Sequence, residues 1–509
     1  MTERVTKDQI NAVLWQAADT FRGKIDAGTY KDYILTMLFI KYLSDSYKEK
    51  KEELTAKYNG DQERIKRAIS RERFVIKDES TFDYLYSKRN DAEIGQIINV
   101  ALESLESDNS AKLRGVFRNI DFNSEAILGK TKERNAMLRA LLEDFNKLTL
   151  KPSLLGDDDV IGDAYQFMIE RFASDAGKKG GEFYTPTMAS ELLSRVVKPQ
   201  ENDRIYDPTC GSGSLLIKVA NQVPNKKVAI YGQERNGATH SLALMNMYLH
   251  GIDDAKIEWG DTLSNPLHLE DGKLMKFQAI VANPPFSLDK WAIGFAGEGN
   301  TDEKFKMDAG LDPHRRFEWG VAPTSKGDYA FVQHMIYSLA ENGRMATILP
   351  HGVLFRGSSE GKIRQQIIDM NLLDAVIGLP EGLFYGTGIP ACVLVIRKDR
   401  SRKEVLFIDA SGEGHYKKGK NQNELREEDI AKIVDTYENY RAEDKYSYVA
   451  TLDEIKENKY NLNIPRYVDT FEEDEPVDME QVKENIMNIK KELVEVEKQM
   501  EQYLKELGL

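Results

Sequence analysis

A chain of 509 residues is roughly three to four ordinary domains long, so at least two domains and a substantial core are expected. Its 41% hydrophobic and 30% charged residues, with 23 Tyr and 20 Phe, exclude disordered and collagen-like classes, and two cysteines, Cys210 and Cys392, are too few for a disulfide framework or a cysteine-rich zinc site. The net charge of −14 argues against strong unaided binding to nucleic acid, although twelve acidic and five basic residues between 472 and 509 carry half of that excess.

Residues 1–150 read as a helical domain. Met1 to Asp8 has no apolar stretch of the secretory kind. Tyr33 to Tyr42 is about half the roughly 20 residues of a membrane span, so a soluble cytoplasmic protein with no membrane association is expected. Thr6 and Gln9 have capping-box spacing, with Ile10, Val13, Leu14 and Ala17 following at helical intervals. Further helices are expected over Tyr33–Leu43 (buried on most sides), Tyr47–Arg73 (charged and solvated), Ile94–Leu105 and Arg134–Leu148. The turn-rich stretch from Lys151 to Val160 marks a boundary. Its Asp157, Asp158 and Asp159 suit the capping of a helix over Ala164–Ala173 better than metal binding, and no metal is expected. Farther on, Gly180-Gly-Glu-Phe-Tyr-Thr-Pro186 opens another helix. Phe183 and Tyr184 can pack on a cofactor while Thr185 and nearby N–H groups bind a carboxylate; a capped helix entry is the plainer alternative.

From about 200 to 410, short apolar runs alternate with helical segments. Strands are expected at Arg204–Tyr206, Val228–Gly232, Lys256–Glu258, Ala279–Ala282, Met345–Leu349, Ala375–Gly378 and Cys392–Ile396. Helices are expected at Ser214–Asn221, Ala238–His250, Tyr329–Ala340 and Lys362–Met370. Such alternation predicts an α/β domain with a doubly wound, mostly parallel sheet, whose ligands bind beyond the carboxyl ends of the strands. The first strand runs into Asp207-Pro-Thr-Cys-Gly-Ser-Gly-Ser214, where Gly211 and Gly213 let backbone approach a ligand and the helix start offers N–H groups. The spacing is not the full dinucleotide-binding fingerprint, and it lacks the lysine of a phosphate-binding loop. Glu234, ending the second strand, is placed to accept from ribose hydroxyls, and Asp261 after the third from the amine of an adenine ring; singly, each is equally a turn residue.

Asn283-Pro284-Pro285-Phe286 follows the fourth strand. Two prolines stiffen the backbone and remove donors, so the Asn283 side-chain oxygen and the Pro284 carbonyl can act as a rigid pair of acceptors. That pair suits an exocyclic amine. Accepting both of its hydrogens localises the nitrogen lone pair towards an electrophile, and Phe286 offers a face on which an extruded base can stack.

With these motifs, the sequence resembles the modification subunit of Type I restriction–modification systems, of the DNA adenine-N6 methyltransferase class, over nearly its whole length. The resemblance also rests on Gly162-Asp-Ala-Tyr-Gln-Phe167, Leu349-Pro-His-Gly-Val-Leu-Phe-Arg-Gly357 and Asn463-Ile-Pro-Arg-Tyr467; Thr209-Cys210 replaces the small residues of other members. It implies a Rossmann-like S-adenosylmethionine-dependent methyltransferase domain over 151–425, after the helical domain 1–150 and before an extension 426–470 and a coiled-coil helix 471–509. It further implies that Glu182, Phe183, Tyr184, Thr185, Pro186, Thr187, Gly211, Ser212, Gly213, Ser214 and Glu234 line the site of S-adenosyl-L-methionine, with Asp207 and Asp261 as further contacts. Asn283, Pro284, Pro285 and Phe286 would hold the target adenine. The implied partners are double-stranded DNA, a specificity subunit that selects the recognition site, a second copy of this chain and a restriction (nuclease/translocase) subunit.

Ser287 to Gly327 reads as a long insertion whose basic trio His314-Arg315-Arg316 is expected to border DNA or the base pocket. From Val482, the positions Ile486, Ile489, Leu493, Val496, Met500, Tyr503 and Leu507 alternate spacings of three and four, the seam of a coiled coil expected to meet a partner helix. The alternatives are a cytosine-N4 methyltransferase, a glutamine-amide methyltransferase (disfavoured by Phe286 in place of Tyr) and a catalytically silent assembly scaffold.

Overall fold

The structure is a computed structural model. It describes residues 4–155, 160–176, 184–296, 305, 307–384, 387–420, 422–470 and 479–508, in two compact units, Met1–Val468 and Asp469–Leu509.

The first unit begins with helices α1 (Lys7–Phe21), α2 (Ala27–Lys57), α3 (Gln62–Ile69), α4 (Phe82–Ser87), α5 (Ile94–Asp108), α6 (Ser110–Leu113), α7 (Glu125–Leu128) and α8 (Thr131–Phe145). The Thr6 hydroxyl accepts the Gln9 N–H at 3.3 Å, and Gln9 Oε1 accepts the Thr6 N–H at 2.9 Å, closing the expected capping box. The two helices expected over Tyr33–Leu43 and Tyr47–Arg73 are divided elsewhere. No glycine or proline interrupts Tyr33 to Lys57, so one 31-residue helix runs through. Asn59 (φ 49°) and Gly60 (φ 81°) then end it in the left-handed region, and α3 restarts at Gln62.

Helix α9 (Val160–Ala176) joins these helices to the sheet region. Its Gly162 is in close contact with His250: a Cβ there would lie 2.6 Å from the ring. The Gly162–Phe167 motif is thus a packing element of the fold.

The remaining elements are α10 (Thr187–Val197), β1 (Arg204–Asp207), α11 (Ser214–Asn221), β2 (Ala229–Glu234), α12 (Gly237–Leu249), β3 (Lys256–Trp259), β4 (Leu269–Glu270), β5 (Lys273–Leu274), β6 (Phe277–Ala282), α13 (Asp328–Ser338), β7 (Leu339–Pro350), α14 (Ser358–Asp369), β8 (Leu373–Gly378), β9 (Ala391–Arg397), β10 (Val405–Asp409), α15 (Glu427–Asn439), β11 (Ser447–Ala450) and α16 (Leu452–Glu457). Nine strands form one sheet in the order β11-β10-β8-β9-β7-β6-β1-β2-β3. Every strand expected from sequence is in it. Pairs from β3 to β7, and β8 with β10, are parallel, as expected of a doubly wound sheet. The sheet is mixed, because β9 runs antiparallel between β7 and β8 and β11 is an antiparallel edge. The described residues between β8 and β9 hold no helix, and without a crossover helix the chain returns antiparallel. The pair β4–β5 is a small hairpin turned by Asp271 (φ 49°) and Gly272 (φ 74°).

Alternate residues of the strands feed two cores. Ile205, Ala279, Val281, Ala346 and Ile348 join α9 to α12 and the N-terminal helices on one face. Tyr206, Ile280, Ala282, Met345 and Leu349 join α13 and α14 on the other.

The described part of the 287–327 insertion is packed against this second core: Trp291 is buried and donates from Nε1 to the Pro323 carbonyl at 2.9 Å. Of the basic trio expected to border DNA or the base pocket, Arg316 is withdrawn from the surface. Arg316 is fully buried, with Nη2 2.8 Å from Asp312 Oδ1 and Nε 3.0 Å from Oδ2. Nη1 reaches the Thr262 carbonyl at 3.2 Å and His334 Nδ1 at 3.1 Å, and His334 Nε2 is 3.0 Å from the Tyr206 hydroxyl. Arg316 therefore pins the insertion to the loop after β3. Arg315 is exposed and paired with Glu318.

The second unit is helix α17 (Met479–Glu506). Its 28 residues rise about 42 Å, and Ile489, Leu493, Val496 and Tyr503 are 56–64% exposed.

Replacing Asp312 by Ala leaves the Arg316 charge buried without its counter-ion. It should cost about 3–5 kcal/mol, read as a lower midpoint in urea unfolding, with an unchanged dependence on denaturant concentration.

Candidate functional site

The carboxyl ends of β1 and β6 converge on one cleft of about 300 Å³, counted to its open mouth, lined by Tyr184, Thr185, Asp207, Thr209, Cys210, Gly211, Ser212, Ser214, Leu215 and Asn283. Its floor is the turn from β1 to α11. Gly211 (φ 55°) and Gly213 (φ 77°) adopt left-handed backbone, which only glycine enters without strain. Gly213 also lies under α12, where a Cβ would stand 2.7 Å from Met247 Cε. Asn246 of the same helix donates to the Ser212 carbonyl at 2.9 Å, and the Ser212 and Ser214 hydroxyls are 3.0 Å apart.

Two carboxylates shape this turn. Asp207 is buried and accepts the Thr209 N–H at 2.9 Å. Burial, opposed by the Thr209 N–H and reinforced by the Glu234 charge, pushes its carboxyl up to about 8. Glu234 is half-buried. Oε2 accepts the Gly211 N–H at 3.0 Å and Oε1 the Asn236 N–H at 2.7 Å, which clamps the β1 turn to the β2 turn. Burial raises its carboxyl as well, against three backbone N–H groups. Of the four lone pairs on the two Glu234 oxygens, one is left for a ligand hydroxyl.

Opposite the turn, β6 delivers Asn283. Its Nδ2 donates to Thr185 Oγ1 at 3.2 Å, while Oδ1 is buried with no hydrogen-bond partner. An orphaned buried acceptor is uncommon and costs roughly 1–3 kcal/mol. Phe286, three residues on, is half-buried and meets Phe384 edge to face at 5.7 Å between ring centroids. The Tyr184 hydroxyl is 2.7 Å from Thr187 Oγ1, which lies 3.4 Å from Glu170 Oε2 at the entry to α10.

Of the residues singled out from sequence, Tyr184, Thr185, Asp207, Gly211, Ser212, Ser214 and Asn283 meet in the cleft. Gly213 and Glu234 support its floor, and Pro186 and Thr187 begin α10 beside it. Asp261 stands apart from the lining. Its Oδ1 accepts the Leu263 N–H at 2.9 Å in a turn, and its Oδ2 is 3.7 Å from exposed Arg235. Glu182 and Phe183 lie outside the described residues, as do Asp157 to Asp159. Sequence reasoning passed over Thr209, Cys210 and Leu215 as lining and Phe384 as the neighbour of Phe286. Cys210 was visible within the motif itself; Phe384 carries no local signal, because only the sheet order brings it near.

A polar ligand suits this cleft, whose donors are the backbone and hydroxyls of the glycine turn and whose floor Glu234 clamps. An amino group suits the unpartnered Asn283 oxygen. Among the described residues, no cluster of three or more His, Cys, Asp or Glu is arranged to hold a metal ion, and no helix is long and apolar enough to cross a membrane.

Residues 156–476 match the family described as N-6 DNA Methylase, and residues 10–145 match the HsdM N-terminal domain. The chain is 33% identical to the Type I restriction enzyme MpnII methylase subunit of Mycoplasma pneumoniae, over 99% of this chain and 97% of that protein. It is 34% identical to the HindI methylase subunit of Haemophilus influenzae, over 78% of this chain and 88% of that one. The crystal structure of a type I restriction-modification methyltransferase subunit from Streptococcus thermophilus superposes with a TM-score of 0.78 at 34% identity, covering 92% of this chain and all of that one.

Because the folded Asp207 carboxyl sits near 8 and an unfolded one near 4, the native state binds the extra proton between these values. Raising the pH through that window therefore lowers folding stability. Denaturant titrations at several pH values should show the wild type losing stability relative to Asp207→Asn as pH climbs from about 4 to about 8, with the difference levelling off above.

Proposed function

The chain belongs to the Type I restriction–modification methylase subunits of the N-6 DNA methylase family, and from that premise we propose that it methylates N6 of an adenine turned out of double-stranded DNA, using S-adenosyl-L-methionine. The observation that carries this is the buried, donor-less Asn283 oxygen beside the glycine-turn cleft.

In this reading the Ser212–Ser214 segment, Thr185 and Tyr184 hold the amino-acid end of S-adenosylmethionine, Glu234 takes its ribose hydroxyls, and Asp207 and Asp261 give further contacts. Pro186 and Thr187 set the entry to α10 that presents Thr185. When bound, S-adenosylmethionine supplies an electrophilic methyl carbon on a sulfonium. Asn283 Oδ1 and the Pro284 carbonyl accept the two amine hydrogens, which draws the nitrogen towards a pyramidal shape and gives it a usable lone pair. Pro285 keeps those acceptors stiff, and Phe286 receives the face of the base. Thr185 holds Asn283 in its rotamer through the 3.2 Å hydrogen bond, so little reorganisation is left for the moment of transfer. No strong base is needed, since the nitrogen becomes acidic as it gains the methyl group.

Sequencing of base modifications in cells that carry the operon tests this. The wild type should mark adenine within a bipartite site, and Asn283→Ala should abolish the mark. An adenine mark retained by the variant would remove Asn283 from the chemistry, and a mark on cytosine N4 would overturn the choice of base.

The exposed apolar seam of α17, with the acidic body of the chain, fits a subunit that relies on others for sequence reading and much of the grip on DNA. The proposed partners are a specificity subunit that α17 meets as a helix, a second copy of this chain in the methyltransferase and a restriction subunit for cleavage. Leu493→Asp combined with Val496→Asp, at positions 56% and 59% exposed, should leave the melting temperature unchanged. The pair should abolish co-purification with the specificity subunit.

A further inference from the structure

The Asn283–Phe286 loop is anchored at its far end by a buried ionic cluster that the proposed chemistry does not use. Ser287, directly after Phe286, adopts φ 51°, a left-handed conformation that a serine enters only under constraint. Asp328, the first residue of α13, supplies the constraint. Its Oδ1 accepts the Ser287 N–H at 2.8 Å, and its Oδ2 lies 3.3 Å from the Ser287 hydroxyl. The Asp328 side chain is 1% exposed and meets Arg356, whose Nη1 is 3.1 Å from Oδ2. The same nitrogen is 3.3 Å from Glu360 Oε1, itself buried.

Arg356 is in turn well fixed. Its guanidinium lies against Gly352, where a Cβ would come within 2.3 Å of Nη2 and displace it. The 351–357 turn is held by Arg364, which donates to the carbonyls of Arg356 at 2.9 Å and Val353 at 3.0 Å, and by the Tyr329 hydroxyl on the Val353 carbonyl at 2.8 Å. This gives the Leu349–Gly357 motif a physical task separate from contact with any ligand.

Resting on the proposed adenine chemistry, we infer that Asp328, held by Arg356, is a positioning residue that fixes the backbone at Ser287 and thereby the orientation of Pro285 and Phe286 towards the base. Thr185 orients the Asn283 end of the loop, and Asp328 orients the Phe286 end. Neither Asp328 nor Arg356 lines the cleft described above. Loosening their link misplaces the base without touching the cofactor residues, and a displacement of about an ångström at a reacting centre costs up to about 100-fold in rate.

The test uses the enzyme assembled with its specificity subunit, cognate DNA and radiolabelled S-adenosylmethionine. Asp328→Asn should lower kcat 10- to 100-fold while the Kd for S-adenosylmethionine by calorimetry and the Kd for DNA hold; the melting temperature should fall, because Arg356 loses one of its two buried carboxylate partners. Ser287→Ala, which keeps the Cβ in left-handed backbone but loses the hydroxyl contact to Asp328 that helps hold it, should lower kcat severalfold, and Ser287→Gly, which accepts that backbone freely, should recover most of it. This serine pair tests the same link should Asp328→Asn fail to fold. A kcat within twofold of wild type in both Asp328→Asn and Ser287→Ala overturns the inference, as does a loss of S-adenosylmethionine affinity in step with kcat. Asn283→Ala in the same assay separates the two levels. If it still methylates adenine, the proposed chemistry fails; if it is inactive while Asp328→Asn turns over normally, only the positioning role falls.

Discussion

A buried carbonyl oxygen with nothing to accept from is a standing cost, and at Asn283 the rotamer and the backbone that follows together leave it so. The Asn283 amide turns its Nδ2 to Thr185 Oγ1, which leaves Oδ1 facing away from that hydroxyl. The backbone after it could supply a donor if it were ordinary, but the next two residues are prolines and have no N–H. The orphaned acceptor is therefore the product of specific choices on both sides, and the sheet that brings β6 beside β1 sets it over the glycine turn.

Much of this was legible in the sequence because it is local. The Asn283–Phe286 and Asp207–Ser214 motifs each sit at the carboxyl end of a short apolar run, and strands of a parallel sheet are easily read as such runs. The helix over Ser214–Asn221 starts where the glycines stop. The reading faltered where the cause is not local. The reversal of β9 depends on what is missing between β8 and β9, and β10 and β11 lie in stretches whose charged flanks mask the apolar residues. The Asp271-Gly272 hairpin carried a signal in its dipeptide that was passed over.

Arg316 illustrates the limit most clearly. As sequence, His314-Arg315-Arg316 is a basic trio in a long connection, the usual mark of an anion-binding surface. In the fold one arginine faces solvent with Glu318 and the other disappears beneath the loop after β3, satisfied by Asp312, two carbonyls and His334. A charge count cannot separate the two. The separating fact is the partner four residues earlier, Asp312, together with a core that leaves room for both.

Helix α12 explains why the helical domain and the catalytic fold belong in one chain. Its Asn246 and Met247 hold the glycine turn from beneath. The next residue, Tyr248, stacks on Phe39 with 6.3 Å between centroids, meets Phe74 edge-on and donates to the Lys112 carbonyl. One turn of helix thus reads the packing of α2 on one side and sets the floor of the cleft on the other. Arg73 strengthens the same junction through Asp253 at 2.7 Å and the Tyr248 carbonyl at 2.6 Å. A change in how the N-terminal helices pack cannot leave Ser212 where it is unless α12 bends, and densely packed interiors shift as units rather than deform smoothly. The helical domain is in this sense part of the cleft at the glycine turn, although none of its described residues lines it.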